Sequence, residues 1–281
     1  MMQLRFVPTL ILLVSSAASA QAPVFDVHVH LRAGQASLDA YEAQAKADGR
    51  EVAGLGAMWF GGPYQALQGD TGGTRTRNDG LIALAANHPK MVPIATVHPY
   101  DGQAALDELT RVAGRGVKVL KLHSHSQKFD NADPRVLAVV KHAGTLGVIV
   151  LMDNANILPG DSEKLFNLAI AAPDTKFIFA HMGGLNFRFW NILALARTAD
   201  GVFAENVHFD ISGPLHLAPG SPIEAEFVWT LRNVGIDRIL LGSDYPQLTL
   251  DQTLDALEKL PMDENEKAKI RYGNAQALFG L

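Results

Sequence analysis

The 281-residue chain contains no cysteine. Disulfides and thiolate metal ligands are excluded, so its stability must come from a packed core. It also lacks any run or stripe of Lys and Arg, and its formal net charge is −5, which argues against a nucleic-acid partner. After Gln21 no apolar run is long enough to cross a bilayer, so no membrane partner is expected beyond that point. No Pro-, Gly- or Ser-rich linker divides the sequence, which points to one domain. What is abundant is apolar residues, at 48%, enough for a sizeable core.

The first twenty residues have a pattern of their own. Arg5 gives a short positive start, residues 7–14 are apolar, and Ala18-Ser19-Ala20 forms a small-x-small cleavage site before Gln21. Residues 1–20 are therefore read as a signal peptide and residues 21–281 as a single domain. The mature protein is expected to be exported, periplasmic or secreted.

Beyond Gln21, β-rich runs at 24–30, 52–60, 92–97, 117–123, 148–152, 177–180, 202–211 and 239–242 predict strands. Amphipathic patterns at 38–47, 80–87, 104–113, 134–143, 162–171, 189–196, 222–234 and 250–260 predict helices between them, and 264–278 a closing helix. Repeated strand–helix alternation predicts parallel strands joined by right-handed crossovers. Eight such units in roughly 260 residues favour an α/β (β/α)8 TIM barrel over an open sheet. The longest irregular stretch, 61–78, is expected to overhang the catalytic face as a loop or lid.

In such a barrel the chemistry lies at the C-terminal ends of the strands. The first strand ends in Asp26-Val27-His28-Val29-His30, where alternation points both imidazoles to one face. Two imidazoles side by side are half of a divalent-metal site. The fourth strand ends in Lys121-Leu122-His123, the fifth in Asp153-Asn154 and the sixth in His181-Met182-Gly183-Gly184. The seventh carries Glu205, His208, Asp210 and Ser212, and the eighth ends in Gly242-Ser243-Asp244-Tyr245-Pro246. Metal ligands and proton carriers thus recur at the catalytic end of most strands.

His-x-His on the first strand, Ala-His-Met-Gly-Gly after the sixth and Gly-Ser-Asp-Tyr-Pro after the eighth resemble the amidohydrolase superfamily over nearly the whole mature chain. The nearest branch is the amidohydrolase-related group, which includes hydrolases and non-oxidative decarboxylases. The resemblance implies that His28 and His30 bind metal. It implies that Asp244 binds metal or shuttles a proton, and that His181 polarises substrate or acts as acid/base. The family usually places a histidine ligand at the end of the fifth strand, where this chain has Asp153. A site of His28, His30, Asp153 and Asp244 around zinc or manganese is the leading expectation. The alternatives are a site that recruits His181, and a metal-free site like that of a lactonase branch that also lacks the fifth-strand histidine.

Three residues bear on the substrate. His-Val-His-Leu-Arg resembles the opening of cyclic amidases such as dihydroorotase, which implies that Arg32 holds a substrate carboxylate. Lys121 either anchors substrate or is carboxylated to bridge two metals, as in those amidases; His123 shares its face and is expected to line the pocket. The leading functional reading is a metal-dependent hydrolase of a small amide, ester or lactone. Non-oxidative decarboxylation is the second, and an exported metal-binding barrel without catalysis the third. The partner is a small molecule, and a homo-oligomer is compatible with the sequence.

Overall fold

The computed structural model describes residues 22–61, 64–198 and 205–280. The expected signal peptide, and residues 202–204 at the start of the expected seventh strand, lie outside the described residues.

Eight strands form one parallel sheet in sequential order: β1 (Val24–His30), β2 (Val52–Met58), β3 (Met91–Thr96), β4 (Val119–Leu122), β5 (Ile149–Met152), β6 (Phe177–Phe179), β7 (Val207–Asp210) and β8 (Ile239–Leu240). Across the seam, Val27 N donates to Leu241 O at 2.9 Å and His30 N to Tyr245 O at 2.9 Å. The sheet therefore curls round until β8 meets β1, which is the expected (β/α)8 barrel. Every residue of β1 is buried, as is usual for a strand with core on both faces.

Local signals set the helices between the strands. Helix Pro134–Thr145 begins with Pro at its first position and Asp133 as its cap. Helix Leu250–Lys259 opens with a reciprocal Thr249–Gln252 capping box. The first packs against β5 and buries Val136, Val139 and Val140, and the second packs against helix Pro214–Leu217 and buries Leu254 and Leu257.

One element differs from expectation. Within the stretch 61–78, residues 71–78 are helical, because helix Thr71–Ala86 begins nine residues earlier than the apolar pattern suggested. Asp70 is the cause: its Oδ1 accepts from Gly73 N at 3.1 Å. A side chain at position 73 would collide with that carboxyl, so the glycine that reads as a breaker is what admits the cap. Among the described residues, no helix is long and apolar enough to cross a membrane.

Candidate active site

Strand alternation brings His28 and His30 to the same face of β1, pointing into the barrel mouth. The loop after β8 supplies Asp244, whose backbone is left-handed at φ 58°. His28 Nε2 lies 3.2 Å from His30 Nε2 and 3.4 Å from Asp244 Oδ1; His30 Nε2 lies 3.0 Å from the same oxygen. All three side chains are buried.

The far side of each ring fixes its proton. His30 Nδ1 meets the carbonyl oxygen of Phe60 at 2.5 Å. A carbonyl only accepts, so Nδ1 carries the hydrogen, and the neutral ring with that tautomer turns its Nε2 lone pair to the mouth. His28 Nδ1 meets Asp210 Oδ2 at 2.6 Å, with the same result. Burial, reinforced by the nearby Lys121 charge, pushes His28 down to about 4, so the ring is neutral. Burial by itself would raise the Asp244 carboxyl, but the surrounding histidines, the protonated His181 ring among them, outweigh it and hold the group below the usual carboxylate range.

Two imidazole lone pairs and a carboxylate oxygen therefore face one another in a dry site, an arrangement that calls for a cation. Two ligands each about 2.1 Å from one ion stand roughly 3.0–3.4 Å apart at bond angles of 90–110°. The three observed separations fall in that range, and three protein donors leave a coordination position open, as catalytic sites require. Gly242 protects the arrangement: a Cβ there would collide with Asp210 Oδ1 and sit 2.9 Å from His28 Cβ.

The opposite wall is a second group. His181 to Gly184 all have positive φ, a left-handed turn that sends the His181 ring back into the mouth. His181 Nε2 lies 3.4 Å from Asp153 Oδ1, and His123 Nε2 lies 3.6 Å from the same atom. On its other side, His181 Nδ1 meets Ser212 Oγ at 2.9 Å. Ser212 Oγ also lies 3.0 Å from Asp210 Oδ2 and spends its hydrogen there, so Nδ1–H of His181 must be the donor to Ser212. Both ring nitrogens then carry protons. The pKa agrees: burial would lower His181, but the Asp153 carboxylate outweighs it and raises the group to about 9. Burial lowers the Lys121 ammonium from its ordinary range, against the pull of Asp153, Asp210 and Asp244.

The structure thus gathers His28, His30 and Asp244 at one point and Asp153, His181 and His123 at another. Asp153, expected among the metal donors, lies outside the first group because its carboxylate is turned to His181 and His123. Arg32 does not join the face of His28 and His30 either. β1 ends at His30 and the chain turns at 32–34, so the alternation stops, and Arg32 lines a separate cavity. His98 is a cap: its Nδ1 accepts from Tyr100 N and its Nε2 bonds Gln127 O. Trp190 and Phe187 are fully buried core residues. Asp210 and Ser212 gain roles that the sequence had not assigned; their only signal was their place at the end of β7. The Phe60 carbonyl had no signal, because any residue carries one.

A sequence model of the amidohydrolase family matches residues 25–281. Over 122 residues the chain is 31% identical to gamma-resorcylate decarboxylase of Polaromonas sp., a match spanning 39% of this chain and only 35% of that relative. Among solved structures, it is similar to 5-carboxyvanillate decarboxylase from Sphingomonas paucimobilis, with TM-score 0.69, 18% identity, and coverage of 93% of this chain and 99% of the other. It is similar also to dihydroxybenzoic acid decarboxylase from Polaromonas sp. JS666, solved with bound manganese and the inhibitor 2-nitroresorcinol, with TM-score 0.66, 19% identity, and coverage of 93% and 97%. At such identities the structural likeness speaks for the fold. The match over almost the whole barrel places this chain in the amidohydrolase family, in its amidohydrolase-related branch.

Proposed function

We propose that this protein is a metal-dependent, non-oxidative decarboxylase of a small aromatic acid bearing a hydroxyl beside its carboxylate. The observation that carries the reading is the His181–Asp153 pair, 3.4 Å apart. Hydrolysis asks first for a base to take a proton from water. Decarboxylation asks for an acid, because hydrogen must replace the carboxylate on carbon. A histidine held protonated by a buried carboxylate suits the second task. The curated relative and the solved neighbours with decarboxylase activity support the same choice over the hydrolase reading.

His28, His30 and Asp244 would hold the ion, and the two-nitrogen, one-oxygen donor set suits zinc or manganese. A divalent ion bound there supplies a Lewis acid for the substrate oxygens. The Lys121 ammonium adds positive charge on the β4 side of the mouth for an anion. His181 Nε2–H gives its proton to the ring carbon that bears the carboxylate. The bond between that carbon and the carboxylate then breaks. Its electron pair returns to the ring, carbon dioxide leaves, and neutral His181 recovers a proton from water. Ser212 and Asp210 hold the ring in line for the transfer.

The experiment is an assay of purified protein with 2,6-dihydroxybenzoate and related hydroxybenzoates beside a panel of lactones, esters and cyclic amides. Carbon dioxide release with formation of the matching phenol is expected. Water-dependent ring opening of lactones, with no carbon dioxide from any acid, would overturn the reading. That outcome belongs to a metal-free lactonase, which the aspartate in place of a fifth-strand histidine favours.

Export is part of the same proposal. Full-length protein expressed in a Gram-negative host is expected in the periplasmic fraction, with Gln21 as its N-terminal residue. Cytoplasmic protein that still begins at Met1 would count against it.

A further inference from the structure

A cavity of about 610 Å³ opens beside β1 and β2, bounded by the turn after β1 and by helix Thr71–Ala86. It is separate from the site above, since none of His28, His30, Lys121, His181 and Asp244 lines it. Leu31, Trp59, Leu81 and Leu84 give it apolar walls, and Arg32 and Arg77 bring two guanidinium groups. No Asp or Glu lines it. Arg77 lies over the Trp59 ring, 5.0 Å from its centroid, and reaches Asp70 only at 3.4 Å. Arg32 Nε is buried and has no hydrogen-bond partner among the described residues.

A buried guanidinium N–H without an acceptor is costly, and so is an apolar chamber left to water. One ligand class relieves both: an anion with an apolar ring. We propose that this cavity is a second binding site, for a ring-bearing monocarboxylate, with the carboxylate on Arg32 and the ring beside Trp59. A planar guanidinium pairs with a carboxylate through two parallel hydrogen bonds, which suits Arg32 better than a lysine. The volume is within the usual range for small-molecule pockets. The site stands independently of the reaction proposed at His28, His30 and Asp244.

Benzoate is the probe, followed by calorimetry and by Trp fluorescence. Asp244→Asn protein serves as a background in which the barrel-mouth site is disabled. Two variants address the cavity. Arg32→Gln removes the cation, and Gly80→Phe places a ring where a Cβ on Gly80 would meet only open space. Benzoate is expected to bind the Asp244→Asn protein, with affinity falling about tenfold or more when either cavity change is added, because a charged hydrogen bond is lost or the volume filled. Cyclohexanecarboxylate is expected to bind as well, and uncharged benzamide about tenfold more weakly. Absence of benzoate binding in the Asp244→Asn protein would overturn the proposal, as would binding unaffected by both Arg32→Gln and Gly80→Phe. Because turnover is not the readout, this result is separable from the fate of the decarboxylase reading.

Discussion

Replacing His181 with Asn is expected to lower kcat by about 10²–10⁴-fold, the usual contribution of a positioned general acid. Substrate binding and metal content should stay near those of the parent protein, because His181 is outside the His28, His30 and Asp244 group. The pH profile gives a sharper test. His181 must be protonated to act, and Asp153 raises it to about 9. Activity should therefore be retained through neutral pH and be lost as pH rises through about 9. Asp153→Asn removes the stabilising charge while keeping a similar shape. The alkaline limit should then move down toward neutral pH. Ser212→Ala should lower kcat more modestly, because it removes the hydrogen bond that aims the ring but not the proton. An alkaline limit that stays put in Asp153→Asn would mean that His181 is not the titrating acid. Full activity in His181→Asn would end the mechanism as a whole.

Stripping the metal is expected to abolish turnover, and adding manganese or zinc to restore it. The stability of the fold gives a readout apart from activity. An ion at a hundred times its Kd adds about 2.7 kcal/mol to the folded state. Each kcal/mol is worth about 2–4 °C in a chain of this length, so chelation should lower Tm by about 5–10 °C. The physical source is the mutual repulsion of His28 Nε2, His30 Nε2 and Asp244 Oδ1, which stand 3.0–3.4 Å apart. His30→Asn and Asp244→Asn should each remove most of the shift. Asp153→Asn should leave it nearly intact, since Asp153 is committed to His181 and His123. Protein that turns over at the full rate with less than about a tenth of an equivalent of metal would refute a metal mechanism.

The residues that drive these expectations were not equally legible. The barrel was readable because it rests on local periodicity repeated eight times; the 24–30 run became β1 with the same bounds. The His28–His30 pair was readable because strand alternation is a short-range rule. Asp244 and His181 were readable as types at strand ends, through their flanking motifs. Helix boundaries were less so, and Asp70 shows why: a cap outweighed two glycines that locally argue against a helix.

By itself, the sequence determined the fold class, the catalytic end of the barrel and the identity of most side chains in its mouth. Each of those follows from spacing along the chain. The tertiary structure alone decided which groups pair with which. Asp210 reaches His28 across 182 positions and Asp244 reaches His30 across 214. Such pairings depend on barrel closure, on the left-handed turns at His181 and Asp244, and on side-chain reach, none of which a local pattern encodes. Arg32 marks the boundary most clearly. Two residues beyond His30 it should share that face, yet the strand ends first, and the guanidinium enters a different cavity.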